Sequence, residues 1–168
     1  MVRIARNAKS RVLEALGDTR VVVIQGARKV GKTIFIREIV DSKDGRLVSF
    51  DDPVAANGVR EDPVGCLNSD PGRLLAIDEV QRVPELVLAL KFVVDGDNRL
   101  GSFLLTGSAN LLTLPTIEDS LAGWTEIIEL FGLSQGELIG HREKFIDRAL
   151  SGERFINHTS DLSRNDYL

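Results

Sequence analysis

The segment Gly26-Ala27-Arg28-Lys29-Val30-Gly31-Lys32-Thr33 places two glycines, a lysine and a hydroxyl at the spacing G-x-x-x-x-G-K-[ST]. These residue types in this order suit the grip of a phosphate chain. Glycines let backbone N–H groups close around phosphate oxygens, and a helix starting at the end of the loop adds its partial positive charge. Lys32 is then expected to reach the β and γ phosphates, and the Thr33 hydroxyl to ligate Mg²⁺. The ligand this implies is a nucleoside triphosphate, ATP with Mg²⁺. A second group, Leu74-Leu75-Ala76-Ile77-Asp78-Glu79, ends an apolar run on two carboxylates. Asp78 is the candidate for the Mg²⁺ shell, and Glu79 for orienting or deprotonating an attacking water. Thr106-Gly107-Ser108 supplies a third. Ser108 and Thr106 are both candidates to sense a γ-phosphate or hold the water, with N-capping by Ser108 as the competing role. Asp51 and Asp52, just before Pro53, read as caps of the next turn.

Such groups need a scaffold that brings strand ends and a helix start to one rim. Val21-Val22-Val23-Ile24 is a continuous β-branched run, as expected of a strand buried on both faces. Further strands are expected at Leu47-Val48-Ser49-Phe50, Leu74-Leu75-Ala76-Ile77, Phe103-Leu104-Leu105-Thr106 and Glu126-Ile127-Ile128-Glu129-Leu130. Between them lie helical segments. Residues 2–16 form an opening helix that stops at Gly17, a second runs from Lys32 to Val40, and a third runs from Pro84, suited to a first helical turn, to about Val94. Gly136 to Leu150 reads as a closing helix. The alternation is the α/β signature. Right-handed crossovers then give a three-layer fold of the P-loop NTPase kind, with a mainly parallel five-stranded sheet between helices. Ligands of such sheets bind at the C-terminal strand ends, where the glycine loop and Asp78 fall.

Bulk properties narrow the class. A chain of 168 residues with 43% hydrophobic and 27% charged content fits one soluble domain with a core of its own. No apolar run approaches the roughly 20 residues of a membrane span, and no secretory signal opens the chain, so a cytoplasmic location with no membrane partner is expected. The single Cys66 and two histidines exclude an internal disulfide and a Cys/His metal cluster. A net charge of -4 argues against a chain-wide nucleic-acid footprint. Only residues 1–20, with Arg3, Arg6, Lys9, Arg11 and Arg20, are locally basic, which is usually a solvated helix face.

The whole pattern resembles the AAA-type ATPases of prokaryotes that usually carry a second, uncharacterised domain after the ATPase core. The resemblance runs from Arg20 through Arg28, through Ile77-Asp78-Glu79-Val80-Gln81-Arg82-Val83-Pro84-Glu85-Leu86, and on into Leu104-Leu105-Thr106-Gly107-Ser108-Ala109, Leu121-Ala122-Gly123 and Leu133-Ser134. It implies a sheet with the fourth strand between the first and third, and an ATPase that drives a partner process. Residues 1–150 would form the core, and the polar stretch 151–168 the start of a further region. The family usually has arginine after Leu-Ala-Gly, where this chain has Trp124; Arg28 and Arg99 are the candidate substitutes. The alternative is a truncated or degenerate nucleotide-binding switch with little turnover, acting through a protein partner. Self-assembly is compatible with either, and a nucleic-acid partner rests on the basic N-terminus alone.

Overall fold

The computed structural model describes residues 4–108, 123–140 and 149–152. Five strands, β1 (Val21–Gly26), β2 (Arg46–Ser49), β3 (Leu75–Asp78), β4 (Phe103–Ser108) and β5 (Thr125–Glu129), form one sheet in the order β2-β3-β4-β1-β5. Every pairing is parallel, with Val21 level with both Phe103 and Thr125 and Ile77 level with Leu105. β4 therefore sits between β1 and β3, as the family resemblance implied.

Side-chain alternation sorts the strands onto two faces. Val22, Ile24, Ala76, Leu104 and Ile128 pack with Val12, Leu16, Phe35, Ile36 and Ile39, from helices α1 (Ala8–Asp18) and α2 (Lys32–Ser42). Val21, Val23, Leu75, Ile77, Phe103 and Leu105 pack on the other face. Their partners come from α3 (Pro53–Glu61), α4 (Pro63–Leu67) and α5 (Glu85–Gly96). The central strands are apolar on both faces because helices cover both, whereas edge strands β2 and β5 are only partly buried. Among the described residues no helix is long and apolar enough to cross a membrane.

Three expectations change. The opening helix starts at Ala8, because the residues before it lie against another segment: the Asn7 amide donates to Glu137 Oε1 at 2.6 Å. Two short helices fill the stretch between β2 and β3. Each begins with proline at its first turn and an aspartate N-cap, Asp52 accepting from the Val54 amide and Asp62 from the Gly65 amide. Asp52 is thus a cap, whereas Asp51 pairs with Arg82 at 2.7 Å. The closing helix is not continuous. A helix α6 (Gln135–Ile139) opens with a capping box from Ser134 and Glu137 and stops at Gly140, whose φ of 70° is left-handed and whose N–H returns to Glu137 and Gly136. Residues 141–148 and 153–168, the latter covering most of the expected polar tail, lie outside the described residues.

Because Leu104 is fully buried in the central strand, Leu104→Ala should lower unfolding free energy by about 2–5 kcal/mol in urea denaturation. Leu88→Ala, on the exposed side of α5, should change it by less than about 0.5 kcal/mol.

Candidate functional site

β1 ends at Gly26 and α2 begins at Lys32, so the glycine loop caps the C-terminal end of β1. Two features shape it. A Cβ on Gly26 would lie 2.3 Å from the Leu130 carbonyl oxygen, so the loop starts where β5's continuation leaves no room for a side chain. Gly31, the N-cap of α2, has φ 92°, a conformation that glycine adopts without cost. Lys29 is also left-handed, with φ 70°, and lies exposed with Ala27 and Arg28 along the outer turn. Lys32 is buried, and its ammonium donates to the carbonyls of Gly26 at 3.0 Å and Ala27 at 3.1 Å. The lysine thus lies along the loop's own concave backbone.

Asp78, the last residue of β3, and Thr106, near the end of β4, lie on the α2 face one residue beyond the level pair Ile77 and Leu105. Asp78 has no exposed surface, so its carboxylate needs protein partners. Among the described residues it has two: the Thr33 hydroxyl donates to Oδ2 at 2.7 Å, and the Thr106 hydroxyl donates to Oδ1. The Thr106 oxygen in turn accepts the Glu79 amide at 3.2 Å. A hydroxyl and a carboxylate at hydrogen-bond distance beside a loop of backbone amides are the oxygen ligands that a hard divalent cation takes alongside phosphate. The donor set therefore fits Mg²⁺.

Glu79 follows with φ 58° and ψ 45°. A glutamate there costs on the order of 1–3 kcal/mol and persists where its surroundings over-determine it. Here Thr106 holds its amide, the Arg82 amide donates to its carbonyl at 3.0 Å, and Val80 is buried in the core behind it. The effect is to turn the Glu79 side chain out of the strand's alternation, and its carboxylate accepts from the Gln81 side-chain amide.

Beside the loop lies a cleft of about 730 Å³, lined by Ile4, Val30, Ile34, Phe35 and Leu133 among others, with Arg6 at its wall. Arg6 was not singled out as a site residue, yet it joins three segments. Its guanidinium donates to the Val30 carbonyl of the loop at 3.0 Å, to the Phe131 carbonyl at 2.6 Å and to Glu137 at 3.2 Å. The pair is nearly dry, with side-chain exposures of 8% and 6%. Burial works against ionisation of Glu137. The amides of Ser134 and Asn7 and the Arg6 guanidinium outweigh it and hold the carboxyl below the usual glutamate range.

The other expected residues are dispersed. Ser108 ends β4, and the role expected of its hydroxyl lies outside the described side chains; Thr106 is the hydroxyl brought into the cluster. Arg99 bonds Asp97 at 2.7 Å in the connection that precedes β4, at the N-terminal edge of the sheet, away from the loop. Trp124 also lies at that edge. Its carbonyl accepts the Val21 amide at 3.2 Å and its ring packs on the core. Val21 and Gly26 are separated by roughly 16 Å of strand, so a cation at position 124 would not reach this chain's own loop. The N-terminal basic residues within the described region face acceptors: Arg6 faces Glu137, Lys9 Glu38, Arg11 Glu126, and Arg20 Asn98.

The model of the family described as "AAA domain" matches residues 18–139. The uncharacterised proteins Mb2031c of Mycobacterium bovis and Rv2008c of Mycobacterium tuberculosis are each 36% identical over 129 residues, covering 77% of this chain and 29% of the relative. The chain thus spans less than a third of the length of these curated relatives. Among solved structures, Pif1 of Bacteroides sp. in complex with ADP-AlF4 matches with a TM-score of 0.49 at 14% identity, over 83% of this chain and 45% of that one.

The Arg6–Glu137 joint carries a stability prediction. The folded-state pKa of Glu137 lies below its unfolded value of about 4.3, so its contribution is complete above that pH and lost as pH falls through the lower folded value. Glu137→Gln should therefore cost about 1.5–3 kcal/mol near neutrality. In urea titrations the gap from wild type should close below about pH 4.

Proposed function

The chain belongs to the AAA domain family, and on that premise we propose that it binds ATP with Mg²⁺ at the glycine loop and hydrolyses it to drive a partner process. The observation that carries this reading is the 2.7 Å hydrogen bond from Thr33 to Asp78. It joins the end of the loop to the end of β3, which is the juxtaposition a nucleotide-bound cation needs.

In this reading residues 1–150 are the ATPase core, and the loop backbone from Gly26 to Thr33 surrounds the phosphates. Lys32 exchanges its bonds to the Gly26 and Ala27 carbonyls for β- and γ-phosphate oxygens, a charged partner for a neutral one. Thr33 and Asp78 hold Mg²⁺, which when bound neutralises charge on the phosphates. Glu79 accepts a proton from, or orients, the attacking water. The cleft lined by Val30, Ile34 and Leu133 offers an apolar wall to the nucleoside. Ser108 remains a candidate γ-phosphate contact, with Thr106 acting through Asp78. A cytoplasmic setting fits the free thiol of Cys66. A nucleic-acid partner gains no support from the N-terminal cations, which face acceptors within the chain.

Lys32→Ala should weaken fluorescent-ATP binding by at least about 100-fold, and unchanged affinity would sink the site assignment. Glu79→Gln should keep nucleotide affinity while lowering phosphate release by about 10²–10⁴-fold. Wild-type protein that binds ATP with no phosphate release, alone or with partners, would favour the nucleotide-binding switch.

A further inference from the structure

Glu79 and Gln81 are two residues apart, a spacing that on a regular helical turn points side chains in different directions. The left-handed backbone at Glu79 and the short 3-10 turn Val80–Arg82 bring them together instead. The turn is pinned from several sides. Its start is held by Thr106 through the Glu79 amide, its end by the Arg82 amide on the Glu79 carbonyl, and Val80 and Val83 are buried. Arg60 donates to the Arg82 carbonyl at 2.7 Å and Asp51 pairs with the Arg82 guanidinium. Within this fixed frame the Gln81 side-chain nitrogen donates to Glu79 Oε2. The other end of the amide, Oε1, is buried and meets no hydrogen-bond donor among the described residues. Glu79 is therefore the group that orients this amide, and the amide in turn occupies one carboxylate oxygen.

We propose that Gln81 is a positioning residue for Glu79: by binding Oε2 it fixes the carboxylate's direction and leaves Oε1 as the oxygen presented to the reacting water. The reaction part of this proposal rests on the ATPase reading, whereas the contact itself does not. A half-buried carboxylate on a rotatable stem samples several directions, and a single donor placed by a rigid turn restricts it to one. Misplacing a catalytic group by about an ångström costs up to roughly 100-fold. Removing this donor should therefore cost less than removing Glu79 itself.

The test pairs a spectrum with kinetics on the full chain. In a ¹⁵N spectrum the Gln81 side-chain amide, assigned by its loss in Gln81→Met, should lie away from the positions of free glutamines and move toward them in Glu79→Ala. A Gln81 amide unmoved by Glu79→Ala overturns the proposal, whether or not the protein turns over. Gln81→Met keeps the volume without the donor and should lower kcat about 10- to 100-fold with ATP affinity within about twofold of wild type. Gln81→Glu, which sets a second carboxylate against the first, should lower kcat further. In the Glu79→Gln background Gln81→Met should add little, since the carboxylate it positions is gone. A Gln81→Met enzyme with wild-type kcat would show that only volume matters and would also overturn the proposal. Wild type without turnover, but with the amide coupled to Glu79, would sink the ATPase reading and leave the positioning contact standing.

Discussion

The buried carboxylate of Asp78 is the constraint on which the rest of the site depends. With no exposed surface it must be matched by donors, and among the described residues these come from Thr33, 45 residues before it, and Thr106, 28 residues after it. The first lies in the opening turn of α2 and the second near the end of β4, so one side chain fixes the helix, the neighbouring strand and its own strand relative to each other. The strand order makes this available. With β4 inserted between β3 and β1, Thr106 stands beside Asp78, and α2 returns over that same face. The Thr106 oxygen then extends the chain of bonds to the Glu79 amide, so the left-handed turn that follows is fixed by the same network.

Parts of this were legible because they are local. The run Val21–Ile24 is β-branched throughout and is followed at once by the glycine loop, so strand, loop and helix start are all written within 13 residues. All five strands fall within a residue or two of expectation, since each central strand is apolar on consecutive positions. The short helices α3 and α4 were not anticipated. Asn57 and Gly58 depress helix propensity in α3, and its stability comes from Ala56 and Val59 packing into the distant core. The repeated Asp-Pro pair, Asp52-Pro53 and Asp62-Pro63, was a usable signal for both starts.

Other features depend on contacts that no local pattern encodes. Arg6 and Glu137 lie 131 residues apart, and the capping box of α6 advertises a helix start without revealing what the glutamate's other bonds serve. The meeting of Gln81 with Glu79 needs a left-handed glutamate, which composition would never suggest. Ser108 and Thr106 looked equivalent as hydroxyls at a strand end. Position along β4 is what singles out Thr106: it follows Leu104 onto the α2 face and stands one residue beyond Leu105, within reach of the Asp78 carboxylate one residue beyond Ile77.

Chemistry and packing also divide between the two ends of the sheet. Trp124 and Arg99 belong to the N-terminal edge, where a tryptophan serves the core and an arginine closes a turn, while every group of the Asp78 network belongs to the opposite rim. At that rim the Val30 carbonyl is tied by a single guanidinium to the strand exit at Phe131 and to the foot of α6. In mechanical terms Arg6 is a three-way joint with one pivot and little slack. A shift of the loop by about an ångström would stretch these bonds beyond useful length, so it must either carry both flanking segments along or break the joint. Helix α6 is thereby anchored within one side chain of the loop, and feels its movements directly.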